Sequence, residues 1–343
     1  MVEEDSSTVL QDSSNWSILL VRLREGLKAL SSGPWIVVIR TVVSIFLVGF
    51  MVWRVSPERI LSLWQDVEPA ALVSAFFLLL IGQVLNGCKW WLLLKTYEPG
   101  VDWKWAMRTY FMGMFFNTIL PWSYGGDGVR SYVATKDTGL PLSRSITTVV
   151  IDRLSGYAAL LLWGVLGLAS LYWPLSATVA LALIGTAGII LIAILLPRSD
   201  PLIKVLPRPI SRLLTEKTIA VSLRQAMALS LVIHVFGIMA LGLIMRGSGL
   251  HFSWGFVAVG WLVLSSASLA PLALGGIGVK EFSLAALLTA HGAPSEEATV
   301  VALTYGLTFA ILGLFGGLVL LPLGEVGKMR GLLQSKRKAE KAL

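Results

Sequence analysis

The stretch Pro121-Trp122-Ser123-Tyr124-Gly125-Gly126-Asp127-Gly128-Val129-Arg130 returns 150 residues later as Pro271-Leu272-Ala273-Leu274-Gly275-Gly276-Ile277-Gly278-Val279-Lys280. Both copies keep the proline, the three glycines and the final cation in the same places. Each copy lies inside apolar sequence, where irregular backbone is tolerated only if it lines a cavity or is buried in protein. We therefore predict an internal duplication whose two copies form a binding region.

The composition indicates an all-α polytopic membrane protein. Of the 343 residues, 55% are apolar and 14% charged, and the mean hydropathy is +0.76, which leaves too little polar surface for a soluble globule of this size. A helix needs about 20 apolar residues to cross a bilayer. Six stretches have close to this length and are predicted to be transmembrane helices: 35–53, 70–94, 146–172, 175–197, 225–245 and 298–323.

Two further apolar arms, 105–120 and 255–270, run directly into the two glycine motifs. The segments that follow each motif are too short to cross a membrane at 1.5 Å per residue. We therefore predict two re-entrant helical hairpins, 104–140 and 253–292, which bring the total to eight hydrophobic segments. Their tips are predicted to be formed by Pro121, Gly125, Gly126, Gly128, Pro271, Gly275, Gly276 and Gly278.

The 150-residue offset also relates the spans on either side of the motifs, so the duplication is predicted to cover two membrane repeats, 35–172 and 173–323. Each repeat reads span, span, hairpin, span. An odd number of crossings places the second repeat upside down relative to the first, as in many secondary transporters. If the hairpin arms are full spans instead, each repeat has five crossings, and the second repeat is still inverted. Residues 1–34 are expected to form an N-terminal segment with an interfacial helix, and 324–343 a basic tail.

The distribution of cations predicts the orientation. With the N-terminus inside, 21 of the 28 Lys and Arg residues fall in cytoplasmic segments, as the positive-inside rule requires. Both termini are then cytoplasmic, in a multi-pass protein of the plasma (inner) membrane. The net charge of +8 is explained by this asymmetry, and no nucleic-acid partner is expected.

The sequence offers little for catalysis. Cys88 is the single cysteine, and the three histidines, His234, His251 and His291, have no metal-ligand spacing. No hydrolase, kinase or nucleotide-binding motif is present. We therefore expect no catalytic residue, no metal and no cofactor. His234, within an apolar span, is either a proton-linked group or a histidine hydrogen-bonded to a neighbouring helix.

The two motifs have the chemistry of an anion site. A helix that restarts after Gly125-Gly126 or Gly275-Gly276 would present amide hydrogens and its positive dipole end. Arg130 and Lys280 are expected in the first turn of these helices, where a cation needs an external partner. The predicted substrate-binding residues are Arg130, Lys280, Asp127, Asp152, Arg153, Glu281, Asn117 and Lys89.

Structural interpretations of the same residues stay open. Asp127 and Arg130, three residues apart, form an ion pair if they share a helix face, and Glu281 would neutralise Lys280. Asp152 is either a counter-ion to Arg130 or Arg144 or a helix-start residue. The remaining expectations are three: a polar stripe of Gln83, Asn86 and Lys89 facing a cavity, close helix packing at Gly313, Gly316 and Gly317, and interfacial anchoring by Trp90, Trp91, Trp103, Trp105 and Trp122.

The chain resembles the flippase-like membrane region of the lysylphosphatidylglycerol synthase superfamily over about residues 30–325. The resemblance is carried by these residues of the two halves: Gly113, Asn117, Pro121, Gly125, Gly126, Asp127, Arg130 and Ile151-Asp152-Arg153-Leu154-Ser155-Gly156, then Pro271, Gly275, Gly276, Gly278, Lys280 and Glu281.

The resemblance implies translocation of a lipid with an anionic, phosphate-bearing head group, such as a phospholipid or a polyprenyl phosphate. About 20 residues follow the last span, too few for the synthase domain of the fused members, so we expect a transporter and not an enzyme. The alternative is a membrane scaffold that presents lipid to a separate synthase or glycosyltransferase partner.

Overall fold

The computed structural model describes residues 34–120, 125–173, 217–268 and 276–318, and these residues form ten α-helices and no strand. In the first half the helices are α1 (Pro34–Val55), α2 (Pro57–Asp66), α3 (Pro69–Lys95), α4 (Trp103–Ile119), α5 (Gly125–Thr138) and α6 (Leu142–Tyr172). In the second half they are α7 (Lys217–Gly247), α8 (Trp254–Ala267), α9 (Val279–Ala290) and α10 (Ser295–Leu318).

Five of these helices are long and apolar enough to cross a membrane: α1, α3, α6, α7 and α10. Apolar side chains on α1, such as Ile45 and Phe46, are exposed, as expected for a helix that faces lipid. The prediction of an all-helical, multi-pass membrane protein is thus confirmed. The predicted sixth span at 175–197, the interfacial helix within 1–34 and the tail 324–343 lie outside the described residues.

At each predicted hairpin the structure has two short helices. The arms α4 and α5 contain 17 and 14 residues, and α8 and α9 contain 14 and 12, so each is shorter than the roughly 20 residues that cross a bilayer. The two helices of each pair pack against one another. Residues 121–124 and 269–275, between the arms, lie outside the described part of the chain.

Helix contacts in one half have counterparts in the other. The second arm of each hairpin packs on the span that follows it, α5 on α6 and α9 on α10. The first arm packs on the last span of the opposite half, so that α4 contacts α10 and α8 contacts α6. The most extensive contact joins α3 to α7. Each pair of short helices therefore packs on helices of both halves of the chain.

Small residues bring these helices together. On α10, a Cβ at Gly313, Gly316 or Gly317 would collide with Thr118, with the carbonyl oxygen of Phe111 or with Phe115 of α4. This confirms the expectation of close packing at the three glycines. On α6, Gly164 and Gly167 likewise allow close packing against α8.

Helix α2 was not predicted. It lies between α1 and α3, and Ile60 is its buried residue. Trp64 Nε1 donates a 2.7 Å hydrogen bond to Thr304 Oγ1 of α10, and Arg59 Nε lies 2.8 Å from Glu296 Oε2. Its ten residues, too few and too polar to register as a span, hold α10 at one end of the bundle.

Candidate functional site

A cavity of about 280 Å³ lies between the two halves, lined by α3 to α6 and α7 to α10. Both cations of the repeated motif, Arg130 and Lys280, line it. Seven of the eight predicted substrate-binding residues lie on its wall: Lys89, Asn117, Asp127, Arg130, Asp152, Arg153 and Lys280. The eighth, Glu281, does not line the cavity. Gln83 and Asn86 do, so the polar stripe on α3 faces it as expected.

Asp152 connects three helices of the charged wall. Its Oδ2 accepts a 2.7 Å hydrogen bond from Arg130 Nη2 of α5, and its Oδ1 lies 3.1 Å from Lys89 Nζ of α3. Lys89 Nζ also donates to the Asp152 carbonyl oxygen at 3.1 Å and to Ser230 Oγ of α7 at 3.0 Å. All three charged side chains are buried. One carboxylate therefore joins α3, α5 and α6.

Asp127 extends the network in the other direction. Both of its carboxylate oxygens accept hydrogen bonds from Arg153, at 2.8 Å from Nε and 2.9 Å from Nη2. Arg130 Nε lies 3.1 Å from Asp127 Oδ1, although it lacks the alignment of a hydrogen bond. The predicted ion pair at i and i+3 is thus present. The five side chains form one alternating series, Lys89, Asp152, Arg130, Asp127 and Arg153.

Arg130 retains donor capacity at the centre of this series. Its side chain is 2% exposed, and Nη1 is buried with no hydrogen-bond partner. The guanidinium group lies 5.2 Å from the centroid of the Trp90 ring and 5.6 Å from that of Tyr110, which favours a cation at this place. A guanidinium group has five N–H donors. Arg130 can therefore bind a further acceptor without losing Asp152.

The second motif is arranged differently. Lys280 Nζ lies 3.7 Å from Glu281 Oε1 and 4.9 Å from the centroid of the Phe309 ring. Glu281 Oε2 accepts a 2.6 Å hydrogen bond from the Gly278 amide. Gly306 of α10 leaves room for the Glu281 carboxylate, since a Cβ there would collide with it. The predicted Lys280–Glu281 pairing is therefore present, and Glu281 also caps α9.

Two expectations about the tips hold only in part. The described part of α5 begins at Gly125, so Arg130 lies beyond its first turn, contrary to expectation. Helix α9 begins at Val279 because Gly276 and Gly278 have φ of 77° and 90°, so Lys280 lies in its first turn as expected. The amides expected to be unpaired include two with side-chain acceptors: Gly126 N donates to Asn117 Oδ1 at 2.8 Å, and Gly278 N donates to Glu281. The tip residues Pro121, Pro271 and Gly275 lie outside the described residues.

Asp152 does not start a helix. Helix α6 begins at Leu142, which places Asp152 ten residues, or about 15 Å, along it. The helix-start interpretation is therefore wrong, and the alternative of a counter-ion to Arg130 is confirmed. Arg144, the other cation considered, lies over the Tyr97 ring at 5.4 Å.

One of the tryptophans predicted as interfacial anchors is buried. Trp90, expected at the membrane interface, is 0% exposed and donates to Thr148 Oγ1 at 3.2 Å. Tyr110, whose ring also lies near the Arg130 guanidinium group, was not predicted as a site residue. The position of Trp90 could have predicted its burial beside the site, because Trp90 directly follows Lys89 in the polar stripe of α3.

His234 lies on the part of the cavity formed by the second half. Trp261 Nε1, which can only donate, lies 3.0 Å from His234 Nδ1, and His234 Nε2 lies 2.8 Å from the carbonyl oxygen of Gly156. These partners require Nδ1 to accept and Nε2 to donate, which is the neutral form. The interpretation of His234 as a histidine bonded to neighbouring helices is confirmed.

Among the described residues, no group of three His, Cys, Asp or Glu side chains could hold a metal ion. Most charged residues of the cavity wall come from the first half, whereas the second half contributes Lys280 together with aromatic and hydroxyl side chains. These aromatic and hydroxyl side chains are those of Trp261, Tyr305, Phe309, Ser265 and Ser268.

Comparison with known proteins agrees with this architecture. Residues 37–317 match the family model described as the lysylphosphatidylglycerol synthase TM region. A UPF0104 membrane protein of Methanocaldococcus jannaschii is 24% identical over 111 residues, which cover 32% of this chain and 33% of that protein. No solved structure matches the chain. Because the family model spans most of the chain, including all eight helices that line the cavity, the protein belongs to the lysylphosphatidylglycerol synthase TM family.

Proposed function

We propose that the protein is a lipid transporter that moves a lipid with an anionic, phosphate-bearing head group between leaflets. The observation that carries this proposal is that Arg130 and Lys280, from the two copies of one motif, line the same cavity between the halves. In this proposal the protein is not an enzyme. It lies in the plasma membrane with both termini cytoplasmic.

The buried charges support a site for a polar ligand. A cation near the bilayer centre costs about 2.5 to 3.5 kcal/mol on insertion scales, and ionisable residues inside membranes usually mark a substrate or ion path. Apolar residues of similar volume often stabilise a protein as well as a buried ion pair does. A network of five buried or half-buried charges is therefore poorly explained by stability alone.

The size of the cavity supports a head group and not a whole lipid. At about 280 Å³ it is slightly smaller than most small-molecule sites, whose volumes run from about 300 to 1,000 Å³. The acyl or prenyl chains would then stay in the bilayer while the head group enters between the helices. Arg130 would bind the phosphate through its unused N–H donors, and Asp152 and Asp127 would neutralise it when the site is empty.

Alternating access follows if the repeats are inverted. The two hairpins would then open to opposite sides of the membrane, and their glycines would allow the arms to shift. The helix contacts of each hairpin with its own half and with the opposite half suit such coupling, because movement of one hairpin changes the packing of both halves.

The proposal is tested by reconstitution. Purified protein in vesicles should accelerate transfer of a labelled phosphatidylglycerol between leaflets, measured as the fraction accessible to an impermeant quencher. We expect the Arg130→Ala plus Lys280→Ala variant to be slow, and Arg130→Lys, which keeps the charge, to be intermediate. Arg59→Ala removes an exposed cation outside the cavity and is the matched control.

Wild-type vesicles that transfer the lipid no faster than protein-free vesicles, or no faster than those with the double variant, would contradict the proposal. The scaffold alternative makes a different prediction. A partner synthase or glycosyltransferase would then depend on this protein in detergent, where no leaflets exist.

A further inference from the structure

A groove separate from the cavity lies where α1, α9 and α10 meet. Its volume is about 320 Å³, and none of the residues that line it lines the cavity. Small-molecule sites have volumes from about 300 to 1,000 Å³. We propose that this groove binds a glycerophospholipid of the surrounding bilayer, with its phosphate on Arg54 and one acyl chain along α9. This site goes beyond the proposed transport and does not rest on it.

The groove exists because α1 and α9 touch at one place and small side chains follow. A Cβ at Gly278, directly before α9, would lie 3.1 Å from the carbonyl oxygen of Ser44 and 3.1 Å from Leu47 Cβ, both on α1. Beyond Phe282, the α9 wall of the groove consists of four small residues: Ala285, Ala286, Thr289 and Ala290. Space for a ligand therefore remains between two helices that are in contact at the hairpin.

Arg54 is the only charged residue among those that line the groove, all of which belong to the described helices. It lies in the last turn of α1, at the end of the apolar stretch Val38–Val55. Trp53 beside it is 77% exposed, as is typical of tryptophan at the membrane interface. An arginine at this depth is level with the lipid phosphates, which a guanidinium group binds through two parallel hydrogen bonds.

The acidic residues at the start of α10 leave Arg54 available for a phosphate. Glu296 and Glu297 do not line the groove, and Glu296 Oε2 lies 2.8 Å from Arg59 Nε in an ion pair of its own. What α10 contributes to the groove is Ser295 and Thr299. The groove therefore has a cation and hydroxyl groups but no carboxylate, which suits an anionic ligand.

The length of the groove matches one leaflet. From Phe282 to Ala290 the α9 wall is about 12 Å long at 1.5 Å per residue, less than half of the roughly 30 Å of the hydrocarbon core. Phe50 lies one turn before Arg54 on α1, and Phe282 lies at the start of α9, so the aromatic side chains are at the end nearer the hairpin contact. An apolar inner end and a cationic outer end have the polarity of a phospholipid within a single leaflet.

The test is photocrosslinking of the full-length, delipidated protein in detergent. The probe is a phosphatidylglycerol with a diazirine in one acyl chain, and the adducts are mapped by mass spectrometry of peptides. We expect adducts on residues 282–290 in excess of those on the exposed apolar face of α3, formed by Val73, Phe77 and Ile81. Unlabelled phosphatidylglycerol should suppress them, whereas a diacylglycerol with the same chains should not. Equal suppression by both competitors, or equal labelling of the two surfaces, would overturn the proposal.

Two variants alter the groove by different means, so that failure of one to fold leaves the other. Arg54→Gln removes the cation and should lower the yield of adducts on 282–290 about fivefold, as loss of one cation near a lipid phosphate predicts. Ala286→Phe fills the groove and should abolish the adducts. Arg246→Gln removes an exposed cation at the end of α7, outside the groove, and should leave the yield unchanged. Unchanged yields in both folded groove variants would contradict the proposal. Because detergent has no leaflets, none of these outcomes depends on transport.

Discussion

Asp152 of α6 and Arg130 of α5 are joined by a 2.7 Å hydrogen bond, and their side chains are 6% and 2% exposed. This bond attaches the second arm of the first hairpin to the span that follows it. Because Asp152 also contacts Lys89, the position of α5 depends on a carboxylate shared by two cations from different helices.

Removal of this carboxylate should destabilise the protein. Asp152→Ala leaves Lys89 and Arg130 buried with too few acceptors, and loss of one partner of a buried ion pair typically costs about 3–5 kcal/mol. We expect a clear fall in the melting temperature of the detergent-purified protein. Glu296→Gln, which breaks the half-exposed pair with Arg59, should change it little. Equal melting temperatures for the two variants would contradict the assigned role of Asp152.

The crossing of the hairpin arms is sensitive to one methyl group. A Cβ at Gly126 would overlap the carbonyl oxygen of Gly113 on α4, whereas one at Gly128, two residues further on, would meet nothing within 4 Å. Gly126→Ala should therefore separate α4 from α5 and lower the yield of monodisperse protein. Gly128→Ala should be neutral or stabilising by up to about 1 kcal/mol, since alanine favours the helix. Size-exclusion profiles and melting curves compare the two, and similar behaviour would show that the arms do not cross here.

The inverted arrangement is testable by cysteine labelling. In a Cys88→Ser background, Gly100→Cys lies in the loop after α3, and His251→Cys lies in the loop after α7; both positions are exposed. Inversion predicts that an impermeant maleimide added to intact cells labels only His251→Cys, and that Gly100→Cys reacts after lysis. Labelling of both from the same side would exclude inverted repeats.

Trp90 should contribute to stability as a buried residue and not as an interfacial anchor. It is 0% exposed, and it contacts Arg130 and Thr148. Trp90→Ala should cost about 3–5 kcal/mol through the cavity it leaves. The matched control is Trp53→Ala, since Trp53 is 77% exposed on α1. A larger destabilisation from Trp53→Ala, measured by thermal unfolding, would reverse this assignment.

The helical architecture could be predicted from the sequence because the length of an apolar stretch and the position of a glycine each affect the local backbone directly. The spans containing Lys89 and Asp152 follow from an apolar length, and the short arms of the hairpins follow from where Gly125 and Gly276 interrupt it. Seven of the eight predicted binding residues line one cavity, and three of them, Asp127, Arg130 and Lys280, belong to the repeated motif.

The sequence predicted possible ion pairs but could not decide between the alternatives. Arg130 had Asp127 as a partner at helical spacing, but its hydrogen bond to Asp152 depends on how α5 packs on α6. Helix α5 includes the glycines of its motif, whereas α9 begins only after Gly278, because Gly276 and Gly278 have positive φ. Trp90 was predicted to be an anchor because tryptophan is common at the membrane interface, but contacts with other helices bury it.

Gly156 and Gly306 are separated by the same 150 residues as the two motifs, and each lies beside a charged side chain of another helix. A Cβ at Gly306 would collide with the Glu281 carboxylate, whereas one at Gly156 would be in ordinary contact with Lys89 Nζ at 3.8 Å. The second half therefore has no spare volume beside its carboxylate, and the first half has room for one more methyl group beside its ammonium. Changes in side-chain volume are accordingly easier to accommodate on the Lys89 side of the cavity.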